Sequence, residues 1–164
     1  MKKWVLILIS LVLLILDNSL IPFLAIKGAY PSLLFVFAIA YSIINGRSEA
    51  VFIGVISGLM QDIYFYNGFG INALINMLIC LIAAIIGENI YREKKLIPVI
   101  SVIFLYLLKI LAVFTIFKLM GRSIDIQVGM FTALYSSVVM FLGYDFVLRI
   151  YNIEYKKRSW RFKW

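Results

Sequence analysis

From Trp4 onward long apolar runs alternate with brief polar breaks, and the breaks divide the chain into helices. The first run, "WVLILISLVLLIL", follows Lys2-Lys3 and has no small-residue cleavage site after it. Further apolar runs follow, so it reads as an uncleaved first span rather than a signal peptide. Six spans are predicted, at about 4–26, 31–45, 49–66, 71–91, 96–118 and 126–149. They form one transmembrane domain over 1–150, with a basic, aromatic tail over 151–164. Pro22 lies near the outer end of the first span. The second is short: at about 1.5 Å per residue it reaches only about 22 Å against a hydrocarbon core of about 30 Å. It must sit in a locally thin region or lean on neighbouring helices. "GRS" alone separates spans two and three, and a glycine turn separates three and four, so both pairs are antiparallel hairpins.

Composition supports a lipid environment. Of 164 residues, 64% are hydrophobic and 15% charged, with a mean hydropathy of +1.02. A soluble domain carries roughly 45–50% apolar and about 25% charged residues. The net charge of +8 is no sign of nucleic-acid binding, because the basic residues lie between and after the apolar runs. There they meet headgroups and set orientation. With a cytoplasmic N-terminus, the inner side holds Lys2, Lys3, Arg47, Arg92, Lys94, Lys95, Arg149, Lys156, Lys157, Arg158, Arg161 and Lys163. The outer side holds Lys27, Lys118 and Arg122. That bias puts both termini in the cytoplasm and the chain in the plasma membrane as a multi-pass protein. The tail, with Trp160 and Trp164 among its basic residues, reads as an interfacial anchor or as a docking segment for a cytoplasmic partner. The single cysteine, Cys80, reads as a small buried hydrophobe. There is no histidine, which removes the commonest metal ligand and general base.

Charges at membrane depth face a partner or a cavity. Asp17 lies fourteen residues beyond Lys3, about 21 Å along a helix, in the outer half. Lys109 lies thirteen beyond Leu96, near 20 Å and at a similar level. Asp62 is close to the outer end of span three, and Asn72 and Asn76 open span four. These groups gather in the outer half, where Lys109 is expected to pair with Asp17 or Asp62. Glu88 with Arg92, and Asp145 with Arg149, are spaced to pair within their own helices at the inner face. The outer cluster is either a structural network holding helices in register or a partner-docking or ligand-lined site. No nucleophile, metal set or phosphate-cradling loop accompanies it, so the expectation is no enzyme, no metal and no cofactor. Gly54 and Gly58, with Ala50 on the same repeat, form a small-residue face for close helix approach. Gly68 and Gly70 supply the positive φ of a tight turn.

The stretch "YPSLLFVFAIAYSIINGRSEAVFIGVISGLMQDIYFYNGFGINALI", residues 30–75, resembles the rod shape-determining MreD family. The likeness lies in Pro31 before span two, the Asn45-Gly46-Arg47 turn, Gly54 and Gly58, "GLMQD" ending at Asp62, and "GFGINAL" opening span four. Ser32 departs from it, since the family often carries an acidic residue there. The resemblance implies a non-catalytic scaffold of bacterial cell elongation, working with MreC, MreB filaments, a RodA-like glycosyltransferase and its transpeptidase. It also implies a bundle similar to the S components of energy-coupling-factor vitamin transporters. Such a component is the alternative function, with Asp17, Asp62, Asn72, Asn76 and Lys109 lining a pocket open to the outside. S components commonly show an Ala-xxx-Ala face, which only Ala50-Gly54-Gly58 approaches here.

Overall fold

The computed structural model of the protein describes residues 3–26, 28–64, 70–89, 96–121 and 126–161. Among these the chain is all-helical: α1 (Lys3–Ser19), a 3-10 turn (Ile21–Leu24), α2 (Leu33–Asn45), α3 (Arg47–Tyr64), α4 (Ile71–Glu88), α5 (Leu96–Leu119) and α6 (Ile126–Arg161). Three helical stretches are long and apolar enough to cross a membrane, α4, α5 and Gln127–Ile150 of α6, marking a helical membrane protein.

Several bounds depart from those expected, and α3 begins at Arg47, so Gly46 alone rather than "GRS" separates it from α2. The first run stops being α-helical at Ser19 instead of continuing to residue 26. Pro22 follows in the 3-10 turn, where it lacks the N–H an α-helix would need. The last helix runs unbroken to Arg161, beyond the expected end at 149. No glycine or proline lies between Gly143 and that point to stop it.

The short α2 is the centre of the molecule. Every residue from Leu34 to Ile44 is buried, as expected of a helix that is apolar all round. It borders all five other helices, so it leans on its neighbours. The surrounding helices follow the order α1, α3, α4, α5, α6, each in contact with the next. Among the described residues α1 and α6 make no contact; the 3-10 turn after α1 meets α6 instead, Leu24 O accepting from the Tyr135 hydroxyl at 3.3 Å. The core that fills the bundle includes Leu6, Phe35, Ile39, Ile53, Ile79, Leu105, Met140 and Tyr144.

One glycine ends α2 and begins α3. The Gly46 N–H donates to Ser42 O at 3.3 Å, and its carbonyl accepts from Ala50 N at 3.0 Å. Its φ of +86° is left-handed backbone that glycine adopts without Cβ strain. The two helices therefore fold back on each other across a single residue.

Candidate functional site

Two carboxylates dominate one end of the bundle, and each closes the start of the helix that follows its own. Asp17, in the last turn of α1, accepts from Leu33 N at 2.6 Å, Leu34 N at 3.1 Å and Ser32 Oγ at 2.8 Å. Leu33 and Leu34 open α2, where the backbone N–H groups have no helical partner of their own. Ser32 is the N-cap, its Oγ accepting from Phe35 N at 3.2 Å. Asp62, near the end of α3, does the same for α4. It accepts from Gly70 N at 2.9 Å, Asn72 N at 3.0 Å, Asn72 Nδ2 at 3.0 Å and Ala73 N at 3.0 Å. Gly70 sits at the N-cap with φ +95°, a conformation that brings its N–H onto the carboxylate. Negative charge at a helix N-terminus also complements the helix dipole.

A chain of hydrogen bonds joins the first clamp to the middle of the bundle. Gln61 Nε2 donates to Ser32 Oγ at 3.1 Å, and Asn76 Nδ2 donates to Gln61 Oε1 at 3.0 Å. Asn76 Nδ2 also approaches Ser57 Oγ at 3.4 Å, while Ser57 donates to Gly54 O at 3.1 Å. Lys109 closes the chain, donating to Gln61 Oε1 at 3.0 Å and Asn76 Oδ1 at 2.8 Å. Its ammonium lies 4.0 Å from the centre of the Phe35 ring, a cation–π contact. Phe35 in turn meets the Tyr106 ring edge-on, 5.2 Å between centres. Asn76 is wholly buried, Asp62 is 4% exposed and Gln61 5%.

The ion pair expected for Lys109 is therefore not formed. Its partners are the amides of Gln61 and Asn76, because both carboxylates are filled by the N–H groups of α2 and α4. Asp17, Asp62, Asn72, Asn76 and Lys109 lie within two connected systems: the Asp17–Lys109 chain and the Asp62–Asn72 clamp. At the opposite end, Glu88 takes Arg47 of α3 at 2.7 Å; Arg92, its expected partner, lies outside the described residues. Lys3 of α1 covers the Phe52 ring of α3 there, at 5.1 Å.

The small-residue face on α3 is filled by α4. A Cβ built on Gly54 would lie 2.6 Å from Met77 Cα and 2.9 Å from Asn76 O. One on Gly58 would overlap Ala73 Cα and Asn72 O. This face therefore serves the α3–α4 pair and is closed to an outside helix. Gly87 plays the equivalent part between α4 and α2, against the Ile43 carbonyl. Gly68 lies outside the described residues, as do Lys2, Lys27, Arg92, Lys94, Lys95 and Arg122.

Sequence reasoning missed Gln61, Ser57 and Phe35 and saw Ser32 only as a departure. Two signals were available. Ser57 and Gln61 are four residues apart on the α3 face that carries Gly54 and Gly58, and a serine directly after Pro31 marks a helix start.

Chemically, the arrangement joins five helices through internal hydrogen bonds. Its donors and acceptors are turned onto one another, which suits holding the bundle in register. No curated protein and no solved structure matches the chain. The family model for the rod shape-determining protein MreD matches residues 1–153. With that match over nearly its whole length, the chain belongs to the MreD family of rod shape-determining proteins.

Proposed function

We propose that this protein is a non-catalytic scaffold of bacterial cell elongation, linking an MreC-like single-span protein, MreB-like filaments and the lateral peptidoglycan synthases. The synthases are a RodA-like glycosyltransferase and its transpeptidase. On this reading all six helices lie in the cytoplasmic membrane with both termini inside, in a bundle resembling an S component. The distribution of lysines and arginines supports that orientation.

One observation carries the scaffold reading. The polar groups of the outer cluster are spent on each other: Asp17, Gln61, Asp62 and Asn76 are buried, with donors meeting acceptors inside the bundle. A substrate site would hold some of them toward a ligand. Partners would then be met by apolar helix faces and by the cytoplasmic segments. Because α4 covers the Gly54–Gly58 face, a partner's transmembrane helix would use an outward face of α1, α5 or α6. Those faces expose Leu8, Phe104 and Phe141, among others.

Crosslinked affinity purification from native membranes, with mass spectrometry of the co-purifying proteins, tests the proposal. MreC-like and synthase proteins are the expected recovery. A coupling subunit with its ATPases would instead establish the vitamin-transporter component.

A further inference from the structure

Lys109 is the end of its hydrogen-bonded chain, and no other hydrogen bond passes through it. Asn76 donates directly to Gln61, Gln61 to Ser32 and Ser32 to Asp17. With the ammonium withdrawn, both amide side chains keep a hydrogen bond inside α1–α4.

Packing divides the molecule at the same place. Within α2, α3 and α4, contact is backbone against backbone at Gly54, Gly58 and Gly87. Among the described residues no glycine brings α5 or α6 into such backbone contact with α1–α4. The α5 helix borders α2, α4 and α6 but not α3, yet Lys109 reaches past its neighbours to Gln61 of α3. Among the described residues it is the one side chain of α5 that donates a hydrogen bond to α1–α4.

We propose that α5–α6 is a hairpin that moves as a unit against the rigid α1–α4 body, with Lys109 as the detachable latch of its closed position. The chemistry of the latch suits release. Its acceptors are neutral amides, so withdrawing the lysine strands no buried carboxylate, as parting an ion pair would. Lys109 is only partly buried, and a lysine's long stem lets its head travel to a more polar level. The Phe35 face adds a weak, orientable attraction in place of a rigid bidentate bond. Two polar contacts give way on release: Asn76 Oδ1 loses its lysine donor, and the Tyr135 hydroxyl leaves Leu24 O, 3.3 Å away.

The test uses the full chain in lipid nanodiscs with Cys80→Ala, and pulsed electron-spin distances. One pair of labels replaces the outward-facing Leu78 of α4 and Leu111 of α5, across the division. A reference pair replaces Leu8 of α1 and Leu78, within the body. In Lys109→Met the first distribution is expected to broaden toward longer distances while the second stays as in the parent, and Lys109→Arg restores the parent distribution. No change in either pair would show that apolar packing alone holds the hairpin. Broadening of both would make Lys109 a general core member and overturn the latch. Should Lys109→Met fail to assemble, hydrogen exchange on the unmodified chain decides. The amides of α5 and α6 opening together, ahead of those of α2–α4, are the expected result; one common opening overturns the proposal.

Discussion

Replacing Asp62 probes the clamp most directly. Its carboxylate accepts four N–H groups at 2.9–3.0 Å, three of them backbone groups at the start of α4. The site is 4% exposed, so water does not replace what is lost. Each orphaned buried donor costs about 1–3 kcal/mol, and loss of an N-cap acceptor alone costs about 0.5–2 kcal/mol. Partial relaxation of the turn lowers the sum, and Asp62→Ala is expected to destabilise by about 3–5 kcal/mol. Asp62→Asn keeps one acceptor oxygen but turns an NH2 toward donors, and about 2 kcal/mol is expected. The assay is equilibrium unfolding in mixed lipid–detergent micelles titrated with a denaturing detergent, followed by near-ultraviolet circular dichroism. An Asp62→Ala value within about 0.5 kcal/mol of the parent would refute the clamp, since that is the range of surface substitutions without a structural role. Pairing Asp62→Ala with Lys109→Met in a double-mutant cycle should give a coupling below about 0.5 kcal/mol, as for groups without shared partners. A coupling above about 1.5 kcal/mol would mean that the two charges interact after all.

Other consequences follow from the same geometry. Gly58→Ala sets a methyl into the backbone of Ala73 and should cost about 2–4 kcal/mol by prising α3 from α4. Gly143→Ala, which meets nothing within 4 Å, should stabilise by up to about 1 kcal/mol; the same unfolding assay compares them. Ser32→Ala removes an N-cap and the link from Asp17 to Gln61, and should cost about 1–2 kcal/mol. Asp17→Asn combined with it should be markedly non-additive. Arg47→Gln breaks an ion pair whose side chains are 58% and 38% exposed. It should change stability by less than about 1 kcal/mol, and less again at high salt.

Helix punctuation was written plainly in the chain. Asn45-Gly46-Arg47 between apolar runs announces a glycine-capped end, and Gly46 adopts the left-handed backbone such an end requires. Depth along a helix also put Asp17, Asp62, Asn76 and Lys109 toward one end, where they are found. What depth could not give is azimuth. Two charges at one level attract on paper, but Asp17 and Asp62 face the N-termini of α2 and α4 while Lys109 faces the amides between them. A helix N-terminus is a partner that no residue letter displays, so reasoning by opposite charge paired the wrong groups. Gly54 and Gly58 gave a close approach without naming the approaching helix. Gln61 was legible only through its spacing from Ser57 on the glycine face of α3, a signal weaker than the charge of Asp62 beside it.

The enclosure of α2 has a consequence for how the protein is made. A segment of 13 residues is too short to span a bilayer by its own length, and in the finished molecule the other helices cover it. It joins α3 through a single glycine, so the two helices form as one hairpin. Its surroundings are complete only once α6, which follows the other five helices in the chain, has arrived. Until then part of its apolar surface is uncovered within a half-built bundle. Truncation before α6 should therefore leave the earlier helices unable to settle, although none of their own residues is missing. The shortest α-helix among the described residues is thus the one whose stability waits for α6.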